Sequence, residues 1–388
     1  MSSTFDVIVI GGGIVGLSAA IAMSQHDFSV ALIDKSALST DTLALDPRVY
    51  AINQASESLF KELGVWDHLN KTRASPYRHM HVWDSVSQAE IDFDARMIAT
   101  DKLGTILEES ILKEALLHQL SKENIVLFEQ SQVTGIQLLP DEVQIACNDQ
   151  MRRAQLLIVA DGANSFARQL LGVSLTSWSY HQDAIVTLVH TEKPHQQTAY
   201  QVFLKEGPLA FLPLADSHQC SIVWSTSKTH ADLLMNLNPQ KFSDELTQAF
   251  EHRLGICRAA DKRHLFPLHM RHAKQYSGPR WLLMGDAAHT IHPLAGLGLN
   301  LGLADLQAWM KHLNEHHHFW SPKLLGAYQR QRKYAVWQMI LLMEGLKTAF
   351  NPSLPPIPTL RGLGIKACNR LLPIKRRMIE LATSNTLY

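Results

Sequence analysis

The sequence predicts an α/β fold: a nucleotide-binding unit interrupted by strand-rich segments, with a helical segment closing the chain. Three observations carry that expectation. A glycine-spaced turn lies between an apolar run and an alanine-rich stretch near the N-terminus. Short apolar runs with the composition of buried parallel strands return far along the chain, at 156–160 and 281–284. Between them lie segments of alternating polar and apolar residues.

Residues 5–10 form the first apolar run, Ile14–Gln25 reads as a helix, and 29–33 as a second strand that Asp34 ends, which makes one βαβ unit. Residues 77–93 alternate like two paired strands with a turn near 85–88. The Leu and Ile spacing over 104–120 predicts a helix. Three strands are expected at 125–128, 132–138 and 143–146, and the buried run at 156–160 ends at Asp161-Gly162. A strand-rich block follows at 178–189, 198–214 and 221–225, then a mostly helical stretch over 232–257. Helices are expected at 299–312 and 322–347. The prolines of 352–358 mark a break before a last segment at 359–383.

Totals narrow the function classes. A chain of 388 residues is too long for one ordinary core. Lys+Arg and Asp+Glu both number 36, so no global field favours nucleic acid. Cys147, Cys220, Cys257 and Cys368 are scattered with no CxxC pair, which gives no support to a zinc site, a dithiol centre or a disulfide framework and points to a reducing cytoplasm. The histidine run at 316–318 reads as a surface loop, and no metal site is expected. No signal peptide is expected. No apolar run reaches the length of about 18 residues that a membrane-spanning helix needs.

Gly11, Gly13 and Gly16 fit G-x-G-x-x-G between a strand and a helix. Such a turn lets the backbone approach a pyrophosphate and places a helix N-terminus behind it, while Asp34 is placed to take the ribose hydroxyls of an adenosine. The pattern serves NAD and FAD alike. "MGDAAHTIHPLAGLGLNLGLAD" at 284–305 raises a second question, because a carboxylate at the end of a buried strand is costly unless hydrogen bonds satisfy it.

Taken together, the chain resembles the flavin-dependent aromatic hydroxylases of the para-hydroxybenzoate hydroxylase fold. "GGGIVG" at 11–16, "VADGANSFAR" at 159–168 and the 284–305 motif carry the match, and "DPRVYAIN" at 46–53 adds a fourth signature with Arg48 as its key residue. Within that group it resembles the ubiquinone-biosynthesis hydroxylases, on "LGTILEESIL" at 103–112 and on the tail "TAFNPSLPPIPTLRGLGIKACNRLLPIKRRMIELA". Leu297 stands where these hydroxylases usually have Gln, and Glu109 where Asn is common.

The resemblance implies a Rossmann-like FAD-binding domain over 1–74, 100–176 and 271–335, an inserted β-sheet substrate-binding domain over 75–99 and 177–270, and a C-terminal helical segment over 336–388. It implies that Asp286 hydrogen-bonds a ribityl hydroxyl of FAD. Gly296, Gly298, Leu299 and Asn300 would bring bare backbone and a helix N-terminus to the isoalloxazine ring. Asp161 and Gly162 would touch the flavin beside the approach of NAD(P)H, the expected electron donor, which lacks a separate Rossmann domain here. Arg168 is expected either at a phosphate or in a surface ion pair. Pro293 and His292 are the candidate catalytic residues, beside the ring where oxygen and substrate meet; no base is assigned, and His289 is the other nearby histidine.

The implied reaction is hydroxylation of a polyprenylated phenol or benzoquinol by O2 through a C4a-hydroperoxide of the flavin. Alternatives are the same chemistry on a small soluble aromatic, or a flavoprotein that binds quinone precursors without oxygenating them. Such a lipid substrate requires contact with a membrane. The tail offers Arg361, Lys366, Arg370, Lys375, Arg376 and Arg377 interleaved with apolar residues, for the membrane surface, for another ubiquinone-biosynthesis protein, or for packing alone. The expected location is the cytoplasm, peripheral to the inner face of the membrane.

Overall fold

The computed structural model describes residues 4–291, 296, 298–314, 320–349 and 357–383, and arranges their strands in three sheets. The first is built on parallel strands. Gln150–Val159, Thr4–Ile10, Val30–Ile33 and Ile125–Phe128 lie side by side, and Trp281–Leu283 joins the outer edge of Gln150–Val159, also in parallel. Val7, Ile8 and Val9 are fully buried, as are Leu156, Leu157 and Ile158, which explains why these strands read as continuous apolar runs. Each such side chain contributes on the order of 1.5–3 kcal/mol relative to exposure.

Register decides where the function sits. Ile10 pairs with both Ile33 and Val159, and Val159 pairs with Leu283. The residues that follow, Gly11, Asp34, Ala160 and Met284, therefore leave the sheet at one common edge. That edge is the carboxyl end of the parallel strands, where open α/β sheets bind their ligands.

The second sheet runs in the order His289–Thr290, His264–Ala273, Leu175–Thr191, Gln219–Ser227, Gly207–Pro213, Thr198–Leu204, His79–Asp84, Glu90–Asp94. Helices Lys228–Asn236 and Pro239–Ala249 pack on it around a separate core of Trp83, Ile185, Phe211, Trp224, Phe242 and Phe250. Phe211 and Phe250 stack with ring centroids 3.8 Å apart. The third sheet, Val49–Asn53, Gly104–Glu108 and Ser75–Tyr77, is small and antiparallel.

Several expectations hold. Ile14–Gln25 is helical throughout, and the 77–93 hairpin forms with its turn at 85–89. Others need correction. Residues 104–120 are not one helix: Gly104–Glu108 is a fully buried strand paired on both sides, and the helix begins at Glu109. The 232–257 stretch holds two helices and a turn, and Cys257 already opens a strand. His264–Ala273 is an unexpected strand that crosses the 270/271 division expected between domains.

The tail folds back. Helix Ile357–Arg370 lies against strand Glu90–Asp94, where the Asp92 amide donates to Asn369 Oδ1 at 3.3 Å. Helix Leu372–Thr383 packs by Ile379 on Ala95 and Leu103, and Arg376 Nε donates to the Met97 carbonyl at 3.0 Å.

Candidate active site

The glycine turn forms because three chain segments meet with no room for side chains. Gly11 has φ +113°, and a Cβ there would stand 2.4 Å from the Ala160 carbonyl oxygen. A Cβ on Gly16 would stand 1.9 Å from the Gly11 carbonyl oxygen, so the helix Ile14–Gln25 rests directly on the turn. Gly13 differs: nothing lies within 4 Å of where its Cβ would be. It caps the helix without a side-chain hydrogen bond, and no acidic residue occupies the first turn. No side chain caps or neutralises the first-turn amides, which carry the positive end of the helix dipole beside that open space.

Asp34 stands beside this turn. Its Oδ2 accepts from the Gly12 amide at 2.5 Å and its Oδ1 from the Ser36 amide at 2.7 Å. Each carboxylate oxygen has a second lone pair, so the residue can still accept from ribose hydroxyls.

Arg48 leaves the small sheet into the same cleft. Its Nε meets Glu109 Oε2 at 2.7 Å, yet the side chain keeps 58% of its surface accessible. The Tyr50 hydroxyl donates to the same carboxylate at 3.0 Å, and burial, together with the Glu109 charge, pushes its pKa far up against the opposing pull of Arg48. Glu109, the departure from the usual Asn, therefore anchors the arginine. Tyr50 was not foreseen as part of this cluster.

At the edge of Gln150–Val159, Gly162 turns with φ +87° and also faces open space. Asp161 Oδ2 accepts the Ala167 amide at 3.1 Å, while its Oδ1 is buried without a hydrogen-bond partner. Arg168 is neither at an open phosphate site nor in a surface pair, as either expectation had it. It is buried, donating from Nη1 to the Ala287 carbonyl at 2.8 Å and from Nη2 to the Ala163 carbonyl at 3.3 Å. It ties the second motif to the third, and burial lowers its pKa. Arg271, also unforeseen, donates to Asn164 Oδ1 at 2.9 Å.

The Gly285–Asp286 turn follows strand Trp281–Leu283. Among the described residues no donor pairs with the Asp286 carboxylate, which opens to solvent on its cleft side while protein crowds it elsewhere. That crowding raises its pKa, against the opposing charges of His289, Arg48 and Arg271. The stretch then joins the second sheet at its edge, through Thr290 opposite Arg271 and His289 opposite His272.

Helix Gly298–Asn314 closes the site from below. Gly298 and Leu299 are half-buried at its start, and a Cβ on Gly296 would still clear Ala51 at 3.6 Å. The Asn300 side chain is fully engaged: Oδ1 accepts the Asn53 amide at 3.1 Å and Nδ2 donates to the Ala51 carbonyl at 2.8 Å. It joins the helix to the strand that carries Arg48, which leaves main chain as its means of meeting a flavin. His292, Pro293 and Leu297 lie outside the described residues, as do 316–318.

These groups fit FAD. An open anion cradle, a carboxylate for a ribose, an unpartnered Asp161 oxygen and an unpaired Asp286 line one edge, and the second sheet begins where that edge ends. Fold and site define a flavin-binding α/β protein whose second sheet is joined just beyond the Gly285–Asp286 turn. The comparisons agree: residues 4–342 match the FAD binding domain family, and the chain belongs to it. It is an FAD-dependent monooxygenase by that membership and by its relatives. It is 34% identical over 385 residues to the 3-demethoxyubiquinol 3-hydroxylase of Escherichia coli (strain K12), covering 97% of this chain and 98% of that one. It is 32% identical to the mitochondrial ubiquinone biosynthesis monooxygenase COQ6 of Mus musculus, over 98% of this chain and 91% of the other. Among solved structures, p-nitrophenol 4-monooxygenase PnpA from Pseudomonas putida DLL-E4 shares the fold with a TM-score of 0.80 at 19% identity, over 99% of both chains.

Proposed function

We propose that this protein uses FAD, O2 and NAD(P)H to hydroxylate the aromatic ring of a prenylated phenol or benzoquinol in ubiquinone biosynthesis. Relatives named for that pathway align along nearly the whole chain. The observation that carries the reading is the placement of Asp286. It sits where the parallel sheet hands over to the edge of the second sheet, so a flavin held there would present its ring to the substrate side.

The chain's own groups divide the work. The first-turn amides behind Gly11, Gly13 and Gly16 neutralise the pyrophosphate, and Arg48, steadied by Glu109, adds a positive charge at the cleft. Asp34 and Asp286 fix the two sugar portions by accepting from their hydroxyls. Backbone at Gly296, Gly298, Leu299 and Asn300 supports the ring, and the helix dipole behind it favours electron-rich flavin. Reduced FAD, when bound, supplies the activated oxygen. The second sheet excludes water from that oxygen and orients the acceptor ring. His292 and Pro293 remain the proposed catalytic contacts.

We also assign the C-terminal portion to peripheral contact with a membrane. Among the described residues no helix is long and apolar enough to cross one. Leu371, Leu372, Ile374 and Met378 are exposed beside Arg370, Arg376 and Arg377. Lys375 is excluded from that surface, being buried with its Nζ on Asn369 Oδ1 at 2.9 Å, and the side chains of Arg361 and Lys366 lie outside the described residues. Tyr334, Trp337, Leu341 and Leu342 form a second exposed apolar stripe on helix Pro322–Ala349.

Deleting the gene and weighing the accumulated quinone precursors tests the reaction. A prenylated precursor lacking one ring oxygen is expected. An unchanged quinone profile overturns the assignment, and turnover by purified enzyme of water-soluble phenols only would move it to a small soluble aromatic.

A further inference from the structure

The third motif ends on Asp305, a residue to which the flavin chemistry gives no role. It is completely buried on helix Gly298–Asn314, with a partner at each carboxylate oxygen. Oδ2 accepts the Gly285 amide at 2.8 Å and meets His289 Nε2 at 2.7 Å, while Oδ1 accepts from Arg332 Nε at 2.6 Å. Arg332, equally buried on helix Pro322–Ala349, also donates from Nη2 to the Leu301 carbonyl at 3.2 Å, and its Nη1 has no partner.

The location of the Gly285 amide gives this cluster its meaning. Met284 donates the last ladder bond of its strand, to the Val159 carbonyl at 2.9 Å. The next amide, that of Gly285, has left the ladder and goes to Asp305 instead. There the chain turns with φ +59°, and Asp286 follows. A Cβ on Gly302 would stand 3.0 Å from both Gly285 Cα and Val15 Cγ2, so the turn is wedged between the helix behind the glycine turn and the helix that carries Asp305.

Stability alone gives no reason for such a cluster, since apolar residues of similar volume commonly replace buried ion pairs without loss. Burial opposes the Asp305 charge, but His289 and Arg332 outweigh it and hold the carboxyl below its usual range. An ionised carboxylate is what accepts an amide, a guanidinium and an imidazole N–H at once.

We propose that Asp305 is a positioning residue for the flavin: by accepting the Gly285 amide it fixes the turn that presents Asp286, with Arg332 and His289 holding it in place. The proposal rests on FAD binding and not on the identity of the aromatic substrate.

Titrating apoprotein into FAD and following flavin fluorescence tests it independently of turnover, with circular dichroism reporting folding. Asp305→Asn is expected to raise the FAD Kd by about tenfold or more, as loss of a charge-assisted bond in a binding site does. Ser277→Ala, which removes a buried hydrogen bond to the Leu325 carbonyl on helix Pro322–Ala349, the helix of Arg332, lowers the melting temperature and leaves the Kd within about twofold. In Asp286→Asn protein, adding Asp305→Asn changes the Kd little, because both act through one carboxylate. Should Asp305→Asn not fold, Asp305→Asn with Arg332→Gln removes both charges and carries the same expectation. Wild-type FAD affinity in a folded Asp305 variant, or additive effects of the two substitutions, overturns the proposal, whatever substrate the enzyme proves to use.

Discussion

His272 shows what burial does to one titratable group. Its Nδ1 meets the Tyr276 hydroxyl at 2.8 Å, Trp337 lies edge-on with centroids 4.9 Å apart, and Nε2 has no partner. Burial, with the nearby His289 and Lys333 charges, pushes its pKa from 6.5 down to about 4. The sign of the consequence is fixed. Above pH 6.5 the ring is neutral folded or unfolded. Between 6.5 and 4 only the unfolded chain takes up the proton, so stability is lost as pH falls through that window. The loss between about pH 7 and pH 5 is on the order of 2 kcal/mol for this group. Urea midpoints at the two pH values should converge in His272→Gln; an unchanged difference between them would refute the assignment.

At the scale of elements, the glycine turn makes the sharpest prediction. Gly16→Ala drives a methyl into the Gly11 carbonyl, a main-chain group that cannot swing aside, with the Ala160 methyl at 3.4 Å beside it. A loss of roughly 2–3 kcal/mol follows from such overpacking, together with release of the flavin as the helix is pushed off the turn. Yellow, fully loaded Gly16→Ala protein of wild-type melting temperature would count against this contact. The same elements show what a sequence makes legible. The first βαβ unit could be read because its strands are buried on both faces and its turn is constrained to glycine. Residues 104–108 could not: their apolar spacing suits a helix, and only pairing with Val49–Asn53 and Ser75–Tyr77, set by distant chain, makes them a strand. His264–Ala273 was masked by Pro267 and by polar residues, and its pairing with Leu175–Thr191 is broken by a shift between Ser179 and Asp183. The site divides in the same way. Asp34, Asp161 and Asp286 are announced by neighbours in sequence. The pairing of Asp305 with Arg332 spans 27 positions and two helices, and no local pattern reports it. Arg168, whose charge suggested a phosphate, is taken up by two carbonyls.

At the scale of the whole molecule, two groups of exposed apolar residues stand out among the described residues. Leu371, Leu372, Ile374 and Met378 on the tail have arginines beside them, and Tyr334, Trp337, Leu341 and Leu342 run along one long helix. Sedimentation with vesicles containing anionic lipid is expected to carry the protein down. Binding should weaken with salt and fall several-fold in Leu372→Glu with Ile374→Glu, since each buried apolar side chain contributes on the order of 1 kcal/mol or more. Protein that stays in the supernatant with every vesicle composition would assign the tail to another protein or to packing alone.

The passage from Trp281 to Thr290 belongs to two sheets at once, ending one ladder at Met284 and entering another at His289. Asp286 is the carboxylate in the middle of that crossing. A guest that shifts the larger sheet is therefore expected to alter FAD affinity, which flavin titration with and without a prenylated phenol would measure.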